Sequence, residues 1–178
     1  FQLVDALKVI ADHAPRTLRR LEIGGNTELD DLEALAPRLP ELRTFALSNI
    51  IDRELAVGPR CLRTLVASAW PRLEALDLEL LRGGCTIDDV APLFARALPK
   101  LTSLRFRTTF DLEIATALVT SGLAPQLERL TFEAPGDNPD ALAELLVANT
   151  LKLPRLVELA VPHQPFSEPA LAALKTVA

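Results

Sequence analysis

Residues 98–107 read LPKLTSLRFR, and the same phrase returns as WPRLEALDLE at 70–79 and LPRLVELAVP at 153–162. Each copy holds a proline, a spacer, a leucine, two free residues, an apolar residue, one free residue and another apolar residue. Working outward gives six units: Leu18-x-x-Leu21-x-Ile23, Leu42-x-x-Phe45-x-Leu47, Leu73-x-x-Leu76-x-Leu78, Leu101-x-x-Leu104-x-Phe106, Leu127-x-x-Leu130-x-Phe132 and Leu156-x-x-Leu159-x-Val161. Their first leucines are 24, 31, 28, 26 and 29 residues apart. Self-similarity at such a period is the mark of stacked repeats. Five units carry a proline two residues ahead of the leucine: Pro40, Pro71, Pro99, Pro125 and Pro154. The last four positions of each unit alternate, which is the period of a short strand. Proline cannot donate to a ladder, so it marks where the strand begins.

The segments between strands have a helical period. In IDDVAPLFARAL, residues Ile87, Val90, Leu93, Phe94 and Leu98 fall on one face. DLEIATALVTSGL (111–123) and NPDALAELLVANTL (138–151) read similarly. Capping residues open these segments: Thr27 with Asp30, Thr86 with Asp89, Asp111, Asn138 followed by Pro139, and Ser167. One segment is ambiguous. LRTLVAS at 62–68 resembles LRTFALS at 42–48, yet a strand there would begin only 11 residues before Leu73. A repeat must travel out and return, which takes ~20–29 residues. The preferred reading is a helix from Pro59 that buries Leu62, Leu65 and Val66. LVAS then aligns with LVTS at 118–121 and LVAN at 146–149 as the end of a helix.

Length and composition bound the function. The chain has 178 residues, enough for one domain with a sizeable core. It is 49 % hydrophobic but only 4 % aromatic, so Leu and Ala are expected to build a thin, repetitive core. A net charge of −5 argues against a nucleic-acid interface and against an anionic membrane surface. No uncharged apolar run reaches the ~18 residues of a membrane span. The first residues, FQLVDALKVIADH, lack the basic leader and cleavage site of a signal peptide. The chain contains no Met, which reads as a piece of a longer protein. Cys61 and Cys85 form no disulfide framework and suit reduced thiols in the cytoplasm.

The six units resemble leucine-rich-repeat proteins of the ribonuclease-inhibitor-like group, and their Ala/Leu/Arg/Pro-rich style is similar to bacterial intracellular members. The resemblance spans essentially the whole chain. It implies an α/β, right-handed leucine-rich-repeat solenoid: a parallel concave sheet of about six strands, with helices on the convex side. It brings no catalytic residue. The family's asparagine or cysteine, eight residues after the first leucine, is present only as Asn26; the other units place Ile50, Leu81, Thr109, Pro135 and Gln164 there. Irregular turns after the strands are therefore expected.

With the leucines pointing in, the alternate residues point out. They are Arg20 and Glu22; Thr44, Ala46 and Ser48; Ala75, Asp77 and Glu79; Ser103, Arg105 and Arg107; Arg129, Thr131 and Glu133; Glu158 and Ala160. The charged ones, with Thr131, are the candidate protein-binding residues. Asp77 is expected one strand spacing, ~4.8 Å, from Arg105, and Glu79 likewise from Arg107. Such pairs serve either as a recognition patch or as lateral ion pairs worth ~0–1 kcal/mol each. Six strands span only roughly 24 Å. The bare sheet thus falls short of the ~800 Å² per partner of a standard interface, and the loops after the strands have to contribute.

No reactive constellation accompanies the repeat. His13 and His163 have no ligand spacing with the cysteines. Ser167, four residues after His163, reads as a helix cap, and no G-x-S-x-G elbow exists. Gly24-Gly25 and Gly83-Gly84 read as turn glycines, not as a phosphate loop. Asp30-Asp31 and Asp88-Asp89 suit first helical turns. The expected function is a non-enzymatic protein–protein interaction module without cofactor or metal, whose protein partner is unidentified. The alternative is a structural or regulatory repeat segment of a larger enzyme. The apolar ends of the chain, 1–10 and 171–177, add an expectation of weak end-to-end self-association.

Overall fold

The computed structural model describes residues 9–10, 12–24, 32–48, 59–79, 86–95, 98–110, 112–135, 138–162 and 165–177. All six units begin with the same tight turn. The N–H groups of Leu18, Leu42, Leu73, Leu101, Leu127 and Leu156 donate to carbonyls three residues earlier, at 2.9–3.4 Å. In five of them the proline is the second residue of that turn, where its fixed φ is already correct.

The strands follow these turns: β1 (Arg20–Gly24), β2 (Thr44–Ser48), β3 (Ala75–Leu78), β4 (Ser103–Phe110), β5 (Arg129–Pro135) and β6 (Glu158–Ala160). They form one sheet in chain order, and every neighbouring pair is parallel. Leu21, Phe45, Leu76, Leu104, Leu130 and Leu159 stand side by side in register, as the repeat requires. A second device fixes that register. The carbonyls of Arg19, Arg43, Glu74, Thr102 and Glu128 each accept from two consecutive N–H groups of the next unit, at 2.8–3.1 Å.

Helices alternate with the strands: α1 (Leu32–Arg38), α2 (Pro59–Ala67), α3 (Ile87–Ala95), α4 (Leu112–Val119), α5 (Pro139–Ala148) and α6 (Glu168–Leu174). Consecutive helices pack against each other, so the helical layer keeps the order of the sheet. Residues 62–67 are thus helical and Ser68 follows the helix end, with Leu62 and Leu65 buried and Val66 half-buried. The LV-x-[Ser/Asn] match has a physical cause. Ser68 Oγ donates to the Thr64 carbonyl (2.9 Å), Ser121 Oγ to Leu118 (2.6 Å) and Asn149 Nδ2 to Leu145 (2.8 Å). Each adds a side-chain donor to a last-turn carbonyl that also accepts the same residue's backbone N–H.

At the helix starts, the Thr86 N–H and hydroxyl both donate to Asp89 Oδ2, at 3.0 and 2.9 Å. Asn138 Oδ1 accepts from Ala141 N at 3.1 Å, and Ser167 Oγ from Ala170 N at 3.4 Å. The expected caps at Thr27, Asp30 and Asp111 lie outside the described residues.

The core departs from the Leu/Ala expectation. Leucines dominate it, but Phe45, Trp70, Phe94, Phe106 and Phe132 are all buried. Trp70 stacks on Phe45 at 5.3 Å and donates its indole N–H to the Leu65 carbonyl at 3.1 Å. Phe106 lies 6.4 Å from Phe132, nearly parallel, and 6.1 Å from Phe94, edge-on. The few rings are concentrated where they fill the gap between sheet and helices. The turns expected to be irregular after the strands fall largely outside the described residues. Within the sheet, the β4–β5 register shifts beyond Phe106, so that Thr109 pairs with Ala134 and Phe110 with Pro135.

Candidate protein-binding face

Leucine and phenylalanine side chains of each strand enter the core shared with the helices. Alternation places their neighbours on the opposite, open face of the sheet. The register assembles two rows there. One runs Arg20, Thr44, Ala75, Ser103, Arg129, Glu158; the other runs Glu22, Ala46, Asp77, Arg105, Thr131, Ala160. Glu79, Arg107 and Glu133 come two residues after members of the second row. All ten sequence-selected candidates therefore share one face. Ala46, also counted as outward, is buried at 4 % exposure, because its methyl group is too short to rise between Glu22 and Asp77.

The charges pair differently from the expected straight rungs. Arg107 reaches back to Asp77 as a two-pronged fork, Nε to Oδ1 at 2.8 Å and Nη2 to Oδ2 at 2.5 Å. Arg105, the register partner of Asp77, keeps only a 4.0 Å approach to it and donates its Nη2 to Glu133 Oε1 on β5. One carboxylate accepts one bidentate guanidinium well, so two arginines on β4 divide between carboxylates on either side. The Asp77 carboxylate holds the Arg107 guanidinium further above its already high ordinary pKa, against a smaller effect of burial. Glu133 and Glu79 add to that upward shift. The centre of the face is a half-buried ionic clasp across three strands.

Its flanks are looser. Arg129 Nε and Glu158 Oε2 are 3.7 Å apart with side chains 63 % and 62 % exposed, and Arg20 lies 3.4 Å from Glu22. Sequence reasoning missed a third band at the strand starts. Arg43 pairs with Glu74 at 2.9 Å, Arg155 with Glu128 at 2.5 Å, and Arg72 with Glu41. There too, Gln126 Nε2 donates to the carbonyls of Leu98 (2.7 Å) and Leu101 (3.0 Å) in the preceding unit. The signal was legible as charges of alternating sign at equivalent repeat positions, which only the stacking order turns into neighbours.

Elsewhere, Ser167 is engaged as a cap, and its N–H donates to Asp140 Oδ1 at 2.9 Å. His13 is exposed, whereas His163, Cys85 and the Cys61 side chain lie outside the described residues. Among the described residues no three His, Cys, Asp or Glu side chains group to hold a metal ion, and no helix is long and apolar enough to cross a membrane.

Six parallel rungs, each seated on its own leucine motif, make this a leucine-rich-repeat-like fold. No protein-family model matches the chain, and no curated protein matches it. Among solved structures it is similar to one described as "Leiomodin-1 Actin-Binding Site 2 (ABS2)", at 16 % identity and a TM-score of 0.44, covering 99 % of this chain and 87 % of that one. At that distance no residue role and no partner is transferred.

Proposed function

We propose that this chain is a non-enzymatic protein–protein interaction module, and that its partner docks on the open face of the sheet and the loops that follow the strands. One observation carries the reading: a face of six parallel strands bears fixed polar side chains opposite the face that enters the core. The clasp of Asp77, Arg105, Arg107 and Glu133 holds its own charges in place. A partner therefore meets a pre-ordered surface, which lowers the entropy cost of binding. Arg129, Thr131 and Glu158, on the looser flank, are the side chains freest to re-pair with a ligand. Arg20 and Glu22 play the same part at the opposite edge.

The finer assignment follows from the repeat. Parallel strands joined by helical crossovers are right-handed in ~98 % of cases. We therefore assign a right-handed single-domain solenoid of the ribonuclease-inhibitor-like kind, its sheet concave and its helices convex. Its style is bacterial and its thiols suit the cytoplasm. The acidic net charge favours a protein over a nucleic acid or a membrane surface.

Photo-crosslinking tests the face. A crosslinking residue at Thr131 or Arg129 is expected to capture a discrete partner in cells, whereas one at Glu144 on α5 captures none. Equal capture from Glu144, or none from the sheet, overturns the reading. A captured partner that still binds after joint charge reversal of Asp77, Glu79, Arg105 and Arg107 docks elsewhere.

A further inference from the structure

Helices α1 to α5 each end a few residues before a strand begins, so their C-termini and the strand-entry turns share one rim of the molecule. Segments 38–43, 67–74, 95–102, 119–128 and 148–157 run from the end of a helix to the next strand. Among their described residues six are basic and three acidic, an excess of positive charge in a chain whose net charge is −5. The three acids are all engaged: Glu41 by Arg72, Glu74 by Arg43 and Glu128 by Arg155. Arg38, Lys100 and Lys152 are exposed, and none of them has an ion pair among the described residues. The open face differs, because there Arg20, Arg105, Arg107 and Arg129 each have a carboxylate. The spare positive charge therefore lies on the rim.

The helix dipole accounts for one of the three cations. Arg38 sits in the last turn of α1, where a positive charge is favoured. Lys100 and Lys152 come after α3 and α5 have ended, past the reach of a dipole that fades within the last turn. The three residues lead into β2, β4 and β6, so parallel pairing sets them two strand spacings apart, roughly 9.6 Å each time. A polyproline-II segment advances ~9.3 Å over three residues and returns every third side chain to the same side. Acidic side chains at every third position of such a segment match the cations. A nucleic-acid strand does not: it brings a phosphate about every 3.4 Å, so most of its charge would face Glu41, Glu74 and Glu128. Pro71, Pro99, Pro125 and Pro154, exposed on the same turns, offer the spacer residues an apolar surface.

We infer that this rim docks an acidic segment of a protein partner, laid across the strand-entry turns with its carboxylates against Arg38, Lys100 and Lys152. It is a second surface, and it does not depend on what binds the open face. Three exposed charge contacts make the association weak and sensitive to salt.

Fluorescence anisotropy with a labelled peptide of Glu-Pro-Pro repeats, about twelve residues long, tests the inference at up to ~1 mM protein. The peptide is expected to bind at ~20 mM salt and to be released by ~300 mM, whereas the matching Lys-Pro-Pro peptide stays free. Joint replacement Arg38→Gln, Lys100→Gln and Lys152→Gln should weaken binding about tenfold, and Lys100→Gln alone about twofold. Arg63→Gln, on the helical layer at α2, should leave it unchanged. Circular dichroism checks the fold of each variant, and Lys100→Gln carries the test should the triple variant unfold. A wild-type protein that ignores the acidic peptide at low salt overturns the inference. So do folded rim variants that bind like the wild type, and equal binding of the basic peptide. A thymidine oligonucleotide of the same length that binds more tightly than the peptide also overturns it, and makes the rim a nucleic-acid contact.

Discussion

Replacing Phe106 by alanine tests whether the units share one continuous core. Phe106 is fully buried between the rings of Phe94 and Phe132. A buried aromatic side chain removes ~150–250 Å² from water, worth about 4–6 kcal/mol at ~25 cal/mol per Å². Alanine keeps the Cβ, which leaves an expected loss of about 3–5 kcal/mol, the usual range for such truncations. Against a typical total of ~5–15 kcal/mol this is large. Trp70, the single tryptophan, is buried against Phe45 at the β2–β3 end of the core, away from the mutation. Urea unfolding followed by its fluorescence therefore reads whether damage at β4 reaches a neighbouring unit. With an m-value of ~2 kcal/mol/M, the midpoint should fall by roughly 1.5–2.5 M. Leu112→Ala, at a partly exposed helical position, should change stability by less than ~0.5 kcal/mol. A midpoint shift below ~0.5 M for Phe106→Ala would refute the packing argument. A Trp70 transition that stays put while the helical circular dichroism moves would refute the continuity of the core.

Three further outcomes are expected. A double-mutant cycle on Asp77 and Arg107 should give a coupling of about 1 kcal/mol, reduced in high salt, whereas Arg129 and Glu158 should couple by less than ~0.5 kcal/mol because both are mostly exposed. Asp89→Ala should destabilise the protein by ~0.5–1 kcal/mol at neutral pH through loss of the α3 cap. Hydrogen bonds from the Thr86 N–H and hydroxyl, with a contribution from Arg63, lower the Asp89 pKa. The wild-type advantage is therefore full above the ordinary aspartate pKa and fades as pH falls through the lowered folded value; melting temperatures compared from pH 7 downward show it. Gln126→Ala should cost ~1–3 kcal/mol in urea unfolding, because the carbonyls of Leu98 and Leu101 lose a shared donor.

Sequence alone determined the rungs. Leucine spacing located all six strands, the prolines located five of their starting turns, and the minimum length of an out-and-back unit made 59–67 a helix. These features are one-dimensional: a period of two or of 3.6, a fixed φ or a capping side chain acts within a few residues, so order along the chain suffices to read it. Tertiary structure alone decided how the open face is wired. Asp77, Arg105, Arg107, Glu79 and Glu133 were legible as outward charges, but two arginines of different reach compete for carboxylates on both neighbouring strands, and the winner depends on three-dimensional geometry. The same holds for the rings. Phe45, Trp70, Phe94, Phe106 and Phe132 are scattered through the sequence, and only the stacking of sheet on helices brings them into one apolar filling. It holds for Ala46 as well, outward by alternation yet covered because its neighbours are longer.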